Sequence, residues 1–319
     1  MSYLITGTAG FIGFHVAHVL LERGMEVVGF DNLNDYYSVT LKRDRHAILK
    51  KNRNFVAIER DLCEYSCIEE VFKKYKPEKV CHLAAQAGVR YSLINPFAYQ
   101  KANLEAFLNI IELSKSYGIE RFVYASSSSV YGGLQKLPFS EEDRVDTPIS
   151  LYAATKKSNE LIAHCYTHLF KLPTIGLRFF TVYGPWGRPD MAMWIFTESF
   201  LKGKPVKIFN YGKMQRDFTY ISDIVTGVIA SLERDNLDGY ELFNLGNHRS
   251  ENLMDLISII KQELGKEVKE ELLPIQPGDV PATYADIKKA QEKLGFYPET
   301  SITQGIPKFI QWYREYHNE

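Results

Sequence analysis

Short apolar runs alternate along this chain with longer stretches in which apolar residues recur every three or four positions. Tyr3-Leu4-Ile5, Glu26 to Phe30, Phe55 to Ile58, Lys79 to Leu83, Phe122 to Ala125 and Ile175 to Phe179 read as six strands. Residues 11–23, 41–51, 98–117 and 151–170 carry the helical period between them. Strands of this kind, apolar almost throughout and separated by amphipathic helices, predict an α/β fold with a doubly wound parallel sheet. After Thr181 the pattern changes. Pro185, Gly187, Pro189, Gly203, Pro205 and Gly212 punctuate the chain, and helices are expected near 222–234, 252–264 and 301–316. The expected organisation is a first domain over 1–180, rejoined by a return segment at about 215–245. A smaller, interleaved α/β region over 181–319 would bind substrate.

Composition narrows the function classes. Of 319 residues, 45% are apolar and 24% charged, and the formal net charge is −1. Nothing basic draws the chain toward nucleic acid or an anionic membrane. No segment has the eighteen or so apolar residues of a membrane span. The four cysteines, Cys63, Cys67, Cys81 and Cys165, form no metal-type spacing and read as reduced thiols. A cytoplasmic protein without a metal centre is expected.

Two motifs carry chemistry. Gly7, Gly10 and Gly13 follow the first strand and open a helix with Phe11 and Ile12. Small residues there let the backbone approach a pyrophosphate at the helix N-terminus, where free N–H groups and the dipole favour an anion. The spacing is G-x-x-G-x-x-G, one residue wider than the general dinucleotide fingerprint. Asp31, at the end of the second strand with Asn32 after it, suits both ribose hydroxyls of adenosine and repels a 2′-phosphate, which favours NAD. Lys42, Arg43 and Arg45 keep NADP open. Asp61-Leu62 suits an adenine amino group, or a helix cap. Leu83 ends the fourth strand and Ala84, Ala85 and Gln86 follow it, and the small residues allow backbone to lie against a cofactor.

The second motif is Tyr152-x-x-x-Lys156. Three Tyr/Lys pairs have this spacing, at 75/79, 152/156 and 284/288. The first contains Pro77, and the third has no serine loop before it. Only Tyr152/Lys156 opens a helix-compatible run behind a polar loop, Ser126 to Ser129. Residues four apart share a helix face. The lysine charge is therefore expected to lower the tyrosine pKa and make the phenol usable as a base.

Together these features resemble the extended short-chain dehydrogenase/reductase family, over nearly the whole chain. Further carriers are Asn103, the loop 126–132 and Arg178-Phe179-Phe180. The resemblance implies a Rossmann-type NAD domain, with Asn103 grouped with the cofactor residues but orienting backbone near the active-site helix more than doing chemistry. Tyr152 would be the proton-transfer base, Lys156 would hold the nicotinamide ribose, and Ser127 would hydrogen-bond the reacting sugar hydroxyl. Within the family the chain is most similar to the UDP-glucuronate 4-epimerases. Asp31 to Tyr37, Gln86 to Ser92 and Thr181 to Ala192 carry that likeness. A 4-epimerase of UDP-glucose and UDP-galactose, or a UDP-glucuronate decarboxylase, is the alternative on the same scaffold. An idle NAD-binding relative is the reading from another class.

For a UDP-sugar acid, hydroxyls of Ser128, Ser129 and Thr181 would anchor the substrate carboxylate without supplying an acid to C5, with Arg188 or Arg90 adding charge. Arg90 could equally pair with the cofactor phosphates or a loop acid. The resemblance assigns Lys207 and Phe209 to the uracil, Arg216 to the diphosphate and Asp279, in Pro277-Gly278-Asp279, to a ribose. It also implies a homodimer packed through helices 98–117 and 151–170.

Overall fold

A computed structural model describes residues 1–319 except Asp238, Pro277 and Glu319. Six expected strands form as β1 (Ser2–Thr6), β2 (Glu26–Asp31), β3 (Phe55–Glu59), β4 (Lys79–His82), β5 (Arg121–Ser127) and β6 (Thr174–Phe179). A seventh, Tyr240–Leu245, was not expected and extends the sheet beyond β6. The order is Tyr240–Leu245, β6, β5, β4, β1, β2, β3, and every neighbouring pair is parallel. The chain winds outward from β1 to β3, then returns to the other side of β1 with β4. The carboxyl ends of β1 and β4 therefore bound the crevice where such sheets bind ligands.

Strand periodicity explains the two cores. In β1, Tyr3 and Ile5 point into one hydrophobic cluster with Phe14, Ala17 and Leu20 of helix Phe11–Glu22. Leu4 points into the other, with Ile68, Phe72, Phe107 and Ile110. β4 and β6 are buried on both faces, their polar members Lys79, His82, Thr174 and Arg178 included, so neither strand has a solvent face.

Helix Leu151–Phe170 forms with the expected bounds, and its N-terminus is capped by Ser150, whose Oγ accepts from Ala153 N–H at 3.1 Å. The stretch expected as one helix over 98–117 differs. It begins at Pro96, runs α-helical to Tyr99, widens into a π-helical turn over Gln100–Glu105, and continues as Ala106–Ser116. The wide turn carries Asn103 inward. Helix Ala192–Leu201 and the short helix Lys288–Leu294 were also not expected.

Beyond β6 the described residues form three two-stranded pairs: Thr181–Tyr183 with Phe218–Tyr220, Val206–Ile208 with Glu270–Leu272, and Gln215–Arg216 with Glu251–Asn252. Helix Ile221–Glu233 packs back against helix Phe11–Glu22. Among the described residues no helix is long and apolar enough to cross a membrane.

Candidate active site

At the carboxyl edge of the sheet, a cavity of about 780 Å³ runs from the glycine turn to the three small strand pairs. Gly7 leaves β1 with φ +79°, and its N–H donates to Phe30 O at 2.8 Å. A Cβ on Gly7 would lie 2.8 Å from Ala84 N, and one on Gly13 only 2.1 Å from Gly7 O. The turn thus tolerates no side chain at these two positions. Gly10 caps helix Phe11–Glu22 without any side-chain hydrogen bond, so first-turn N–H groups stay open at the cavity. A pyrophosphate fits this cradle.

Asp31 and Asn32 flank the adenosine end. Asp31 accepts from Ala9 N–H at 3.0 Å and Leu33 N–H at 2.9 Å, and its carboxylate also lines the cavity. Asn32 donates to Asp61 at 2.9 Å, and Asp61 accepts from Cys63 N–H at 2.8 Å. Burial alone would raise the Asp61 pKa, but these hydrogen bonds hold it below its ordinary value.

Of the three basic residues that left NADP open, Arg43 is exposed, and Arg45 and Lys42 are otherwise engaged. Arg45 is fully buried and donates to Ala9 O (2.6 Å), Trp186 O (2.6 Å), Gly187 O (3.0 Å) and the Tyr37 hydroxyl (2.8 Å). It ties the glycine turn to the loop after Thr181–Tyr183. Lys42 donates to Asn34 O at 2.6 Å and Asn34 Oδ1 at 2.7 Å.

Ser127, Tyr152 and Lys156 converge at the end of β5. Lys156 is 3% exposed and donates to Ala125 O at 2.9 Å. Ser127 caps a 3-10 turn over Ser128–Tyr131 and accepts from Ser129 N–H at 3.2 Å. Tyr152 meets Tyr99 edge-on, with ring centroids 6.0 Å apart. The tyrosine pKa departs from expectation. Burial pushes the phenol up, and the groups pulling it down are the Ser127 hydroxyl and the Arg188 charge. Lys156, whose ammonium donates to the Ala125 carbonyl, is not among them.

Burial lowers the Lys156 pKa from 10.5 to about 8. Below that value the folded state bears a buried ammonium. As pH rises from about 8 to 10.5, the folded state releases a proton that the unfolded chain still binds, so stability rises. Lys156→Met should therefore stabilise the NAD-free protein at pH 7, on the order of 2 kcal/mol, while losing activity. In urea denaturation the difference from wild type should shrink between pH 8 and 10.

Behind these groups, Arg178 of β6 grips Glu160 of helix Leu151–Phe170 through Nε at 2.8 Å and Nη2 at 2.9 Å. Glu160 also accepts from the Ser126 hydroxyl at 2.7 Å, and both ion-pair side chains are at most 1% exposed. The network fixes the end of β5 against the helix that carries Tyr152.

Asn103 stands apart from the other expected site residues: it does not line the cavity. Its carboxamide accepts from Gln86 N–H at 2.8 Å and donates to Gln86 O and Thr155 Oγ1, both at 3.0 Å. It sets the backbone after β4 against helix Leu151–Phe170, the orienting role expected for it.

Ser128, Ser129, Thr181 and Arg188 line the middle of the cavity. Arg188 forms a two-point pair with Asp190. Arg90 resolves to the loop acid: it donates to Asp279 at 2.8 Å and lies 4.8 Å over the Phe209 ring. Lys207 and Arg216 line the same end, and Arg216 donates to Gln215 O and Pro281 O. Pro277, beside this cluster in sequence, lies outside the described residues. Tyr36, Tyr99, Glu160 and Asp190 were missing from the expected site. The position of Asp190, two residues after Arg188, was the available signal for one of them.

The profile of the GDP-mannose 4,6-dehydratase family matches residues 4–309. The chain belongs to that family, a branch of the extended short-chain dehydrogenase/reductases. This extended dehydrogenase/reductase is 46% identical to a UDP-glucuronate 4-epimerase of Thermodesulfobacterium geofontis, over 98% of this chain and 96% of the relative. The crystal structure of the Bacillus cereus UDP-glucuronic acid 4-epimerase, in complex with UDP-glucuronic acid and NAD, superposes with a TM-score of 0.94. That match has 34% identity and covers 99% of this chain and all of that one. UDP-glucose 4-epimerase of Thermotoga maritima with UDP-glucose gives 0.90 at 33% identity, over 99% and 100% of the two chains.

Proposed function

We propose that this family member interconverts UDP-glucuronate and UDP-galacturonate by NAD-dependent epimerisation at C4. Bound NAD supplies a hydride acceptor at C4 and returns the hydride after the sugar has turned. Tyr152 takes the O4 proton, aligned by Ser127, and gives it back on the opposite face of the ring. Lys156 holds the nicotinamide ribose, and the glycine cradle with Asp31 holds the adenosine half. Lys207, Phe209 and Asp279 grip the uridine, and Arg216 the diphosphate.

The observation carrying this reading is the kind of carboxylate that lines the cavity. Among the described residues these are Asp31, Asp61, Asp190 and Asp279. The first two sit at the adenosine end, and Asp279 is paired with Arg90. Burial alone would raise the Asp190 pKa, but Arg188 holds it below its ordinary value, so it is ionised. No carboxylic acid stands ready to protonate C5. A 4-keto sugar acid loses CO2 when the C5 carboxyl bond breaks and its electron pair becomes an enolate. Ser128, Ser129, Thr181 and Arg188 instead meet the carboxylate as an anion and supply no acid to C5.

We read the protein as a cytoplasmic homodimer. Exposed Leu108 on helix Ala106–Ser116, and exposed Leu161 and Leu169 on helix Leu151–Phe170, supply apolar surface for a second copy.

Proton NMR of the enzyme with UDP-glucuronate, and no added reductant, tests the activity. A UDP-galacturonate H4 signal is expected. A UDP-pentose with CO2 release would make it a decarboxylase. Interconversion of UDP-glucose and UDP-galactose, with UDP-glucuronate unchanged, would overturn the acid specificity.

A further inference from the structure

Three loops meet over the middle of the cavity. Tyr36 comes from the loop after β2, Gly88 and Tyr91 from the loop after β4, and Arg188 with Asp190 from the segment after Thr181–Tyr183. Asp190 Oδ1 accepts from Arg188 Nε at 3.0 Å, and its Oδ2 accepts from Arg188 Nη2. The Tyr36 hydroxyl donates to Oδ2 at 3.1 Å. Tyr36 packs 4.8 Å from Tyr91, and a Cβ on Gly88 would lie 3.0 Å from its hydroxyl. Arg45 fixes the two carbonyls that precede Arg188 in the chain. The Arg188 and Asp190 side chains are still 22% and 29% exposed at the cavity.

A guanidinium carries five N–H donors on two usable edges. Asp190 occupies the Nε–Nη2 edge, and among the described residues the Nη1–Nη2 edge has no other hydrogen-bond partner. We propose that Asp190, braced by Tyr36, is a positioning residue that presents this free edge to the carboxylate of the sugar acid and offsets the arginine charge. This rests on the reading above that Arg188 meets that carboxylate. The offset has a mechanistic use. The ring must turn between the two hydride transfers, so its carboxylate must leave one set of contacts and take another. An arginine without a counter-charge would hold the carboxylate through the turn. A neutral pair gives direction through hydrogen bonds, with a weaker net Coulomb pull.

The test uses NAD-loaded enzyme and two probes, UDP-glucuronate and UDP-glucose. Each probe's Kd is measured by calorimetry and kcat is measured for UDP-glucuronate. Asp190→Asn keeps an acceptor for Arg188 Nε but removes the charge. It should tighten UDP-glucuronate about fivefold and lower kcat by about the same factor, leaving the UDP-glucose Kd unchanged. Tyr36→Phe keeps the charge and loosens the brace, so it should weaken UDP-glucuronate about twofold with UDP-glucose unmoved. Unchanged UDP-glucuronate affinity in Asp190→Asn, or equal weakening of both ligands, would overturn the proposal. Arg188→Ala separates the two layers. If it weakens UDP-glucuronate alone while Asp190→Asn fails to tighten it, only the Asp190 role falls. If Arg188→Ala leaves UDP-glucuronate binding intact, the carboxylate reading falls and the Asp190 role with it.

Discussion

Tyr152→Phe should lower kcat for UDP-glucuronate about 10³-fold while changing the Kd of the sugar nucleotide no more than about twofold. The substitution removes one hydroxyl and keeps the ring. That ring packs edge-on against Tyr99 at 6.0 Å, so the helix start and the cavity wall stay in place. Tyr99 is itself fixed, donating toward Ala87 O at 3.0 Å and toward Gly88 O. What disappears is the group that accepts and returns the O4 proton. Ser127 remains, but its hydroxyl is already shared with Ser129 Oγ at 3.1 Å and Ser129 N–H at 3.2 Å. Steady-state kinetics with calorimetric binding decide the matter. A loss in kcat under tenfold would move the proton-transfer role away from Tyr152.

The largest stability effect belongs to Arg178. Replacing it with Leu leaves Glu160 ionised, fully buried and without its two-point partner. Removing one member of such a pair costs about 3–5 kcal/mol. Tyr131 also loses the Arg178 donor at 2.9 Å, though it keeps its own bond to Asn244 Oδ1 at 2.7 Å. Adding Glu160→Gln to Arg178→Leu should recover more than half of the loss, because the amide still accepts from Ser126 and carries no charge. Urea denaturation of the two single variants and the double variant measures this. A single-variant loss below about 1 kcal/mol would show that water, or Lys157 at 3.4 Å, compensates the Glu160 carboxylate. The single variant should also lose activity, since Ser126 adjoins Ser127 on β5.

Periodicity made most of the parallel sheet legible, because strands buried under helices on both faces are short and mostly apolar, and a buried polar member such as Arg178 is paired. The edge strand Tyr240–Leu245 escaped for a related reason. Its first three residues are only partly buried, so its apolar run is short. The π-helical turn over Gln100–Glu105 had no sequence signal, since its residues are ordinary helix formers. Only the need to satisfy Gln86 and Thr155 with one carboxamide explains its inward-facing Asn103.

The same division runs through the site. Local chemistry announced the glycine turn, Asp31 and the Tyr152/Lys156 pair, because each function needs a residue type at a fixed spacing within one strand–helix unit. Partner choice did not follow from local spacing. Arg45 read as a possible phosphate ligand, and the fold turned it into a buried tie between Ala9 and Gly187. Lys156 shares a helix face with Tyr152, yet its ammonium found Ala125. Arg90 had several possible partners until the chain brought Asp279, 189 residues away, to within 2.8 Å. Periodicity and spacing set which groups this protein possesses and on which element each stands. The packing of separate loops over one cavity decided which charges are neutralised and which remain free for a ligand. An ion pair depends on distances of a few ångströms between residues far apart in sequence, and only the folded chain sets those distances.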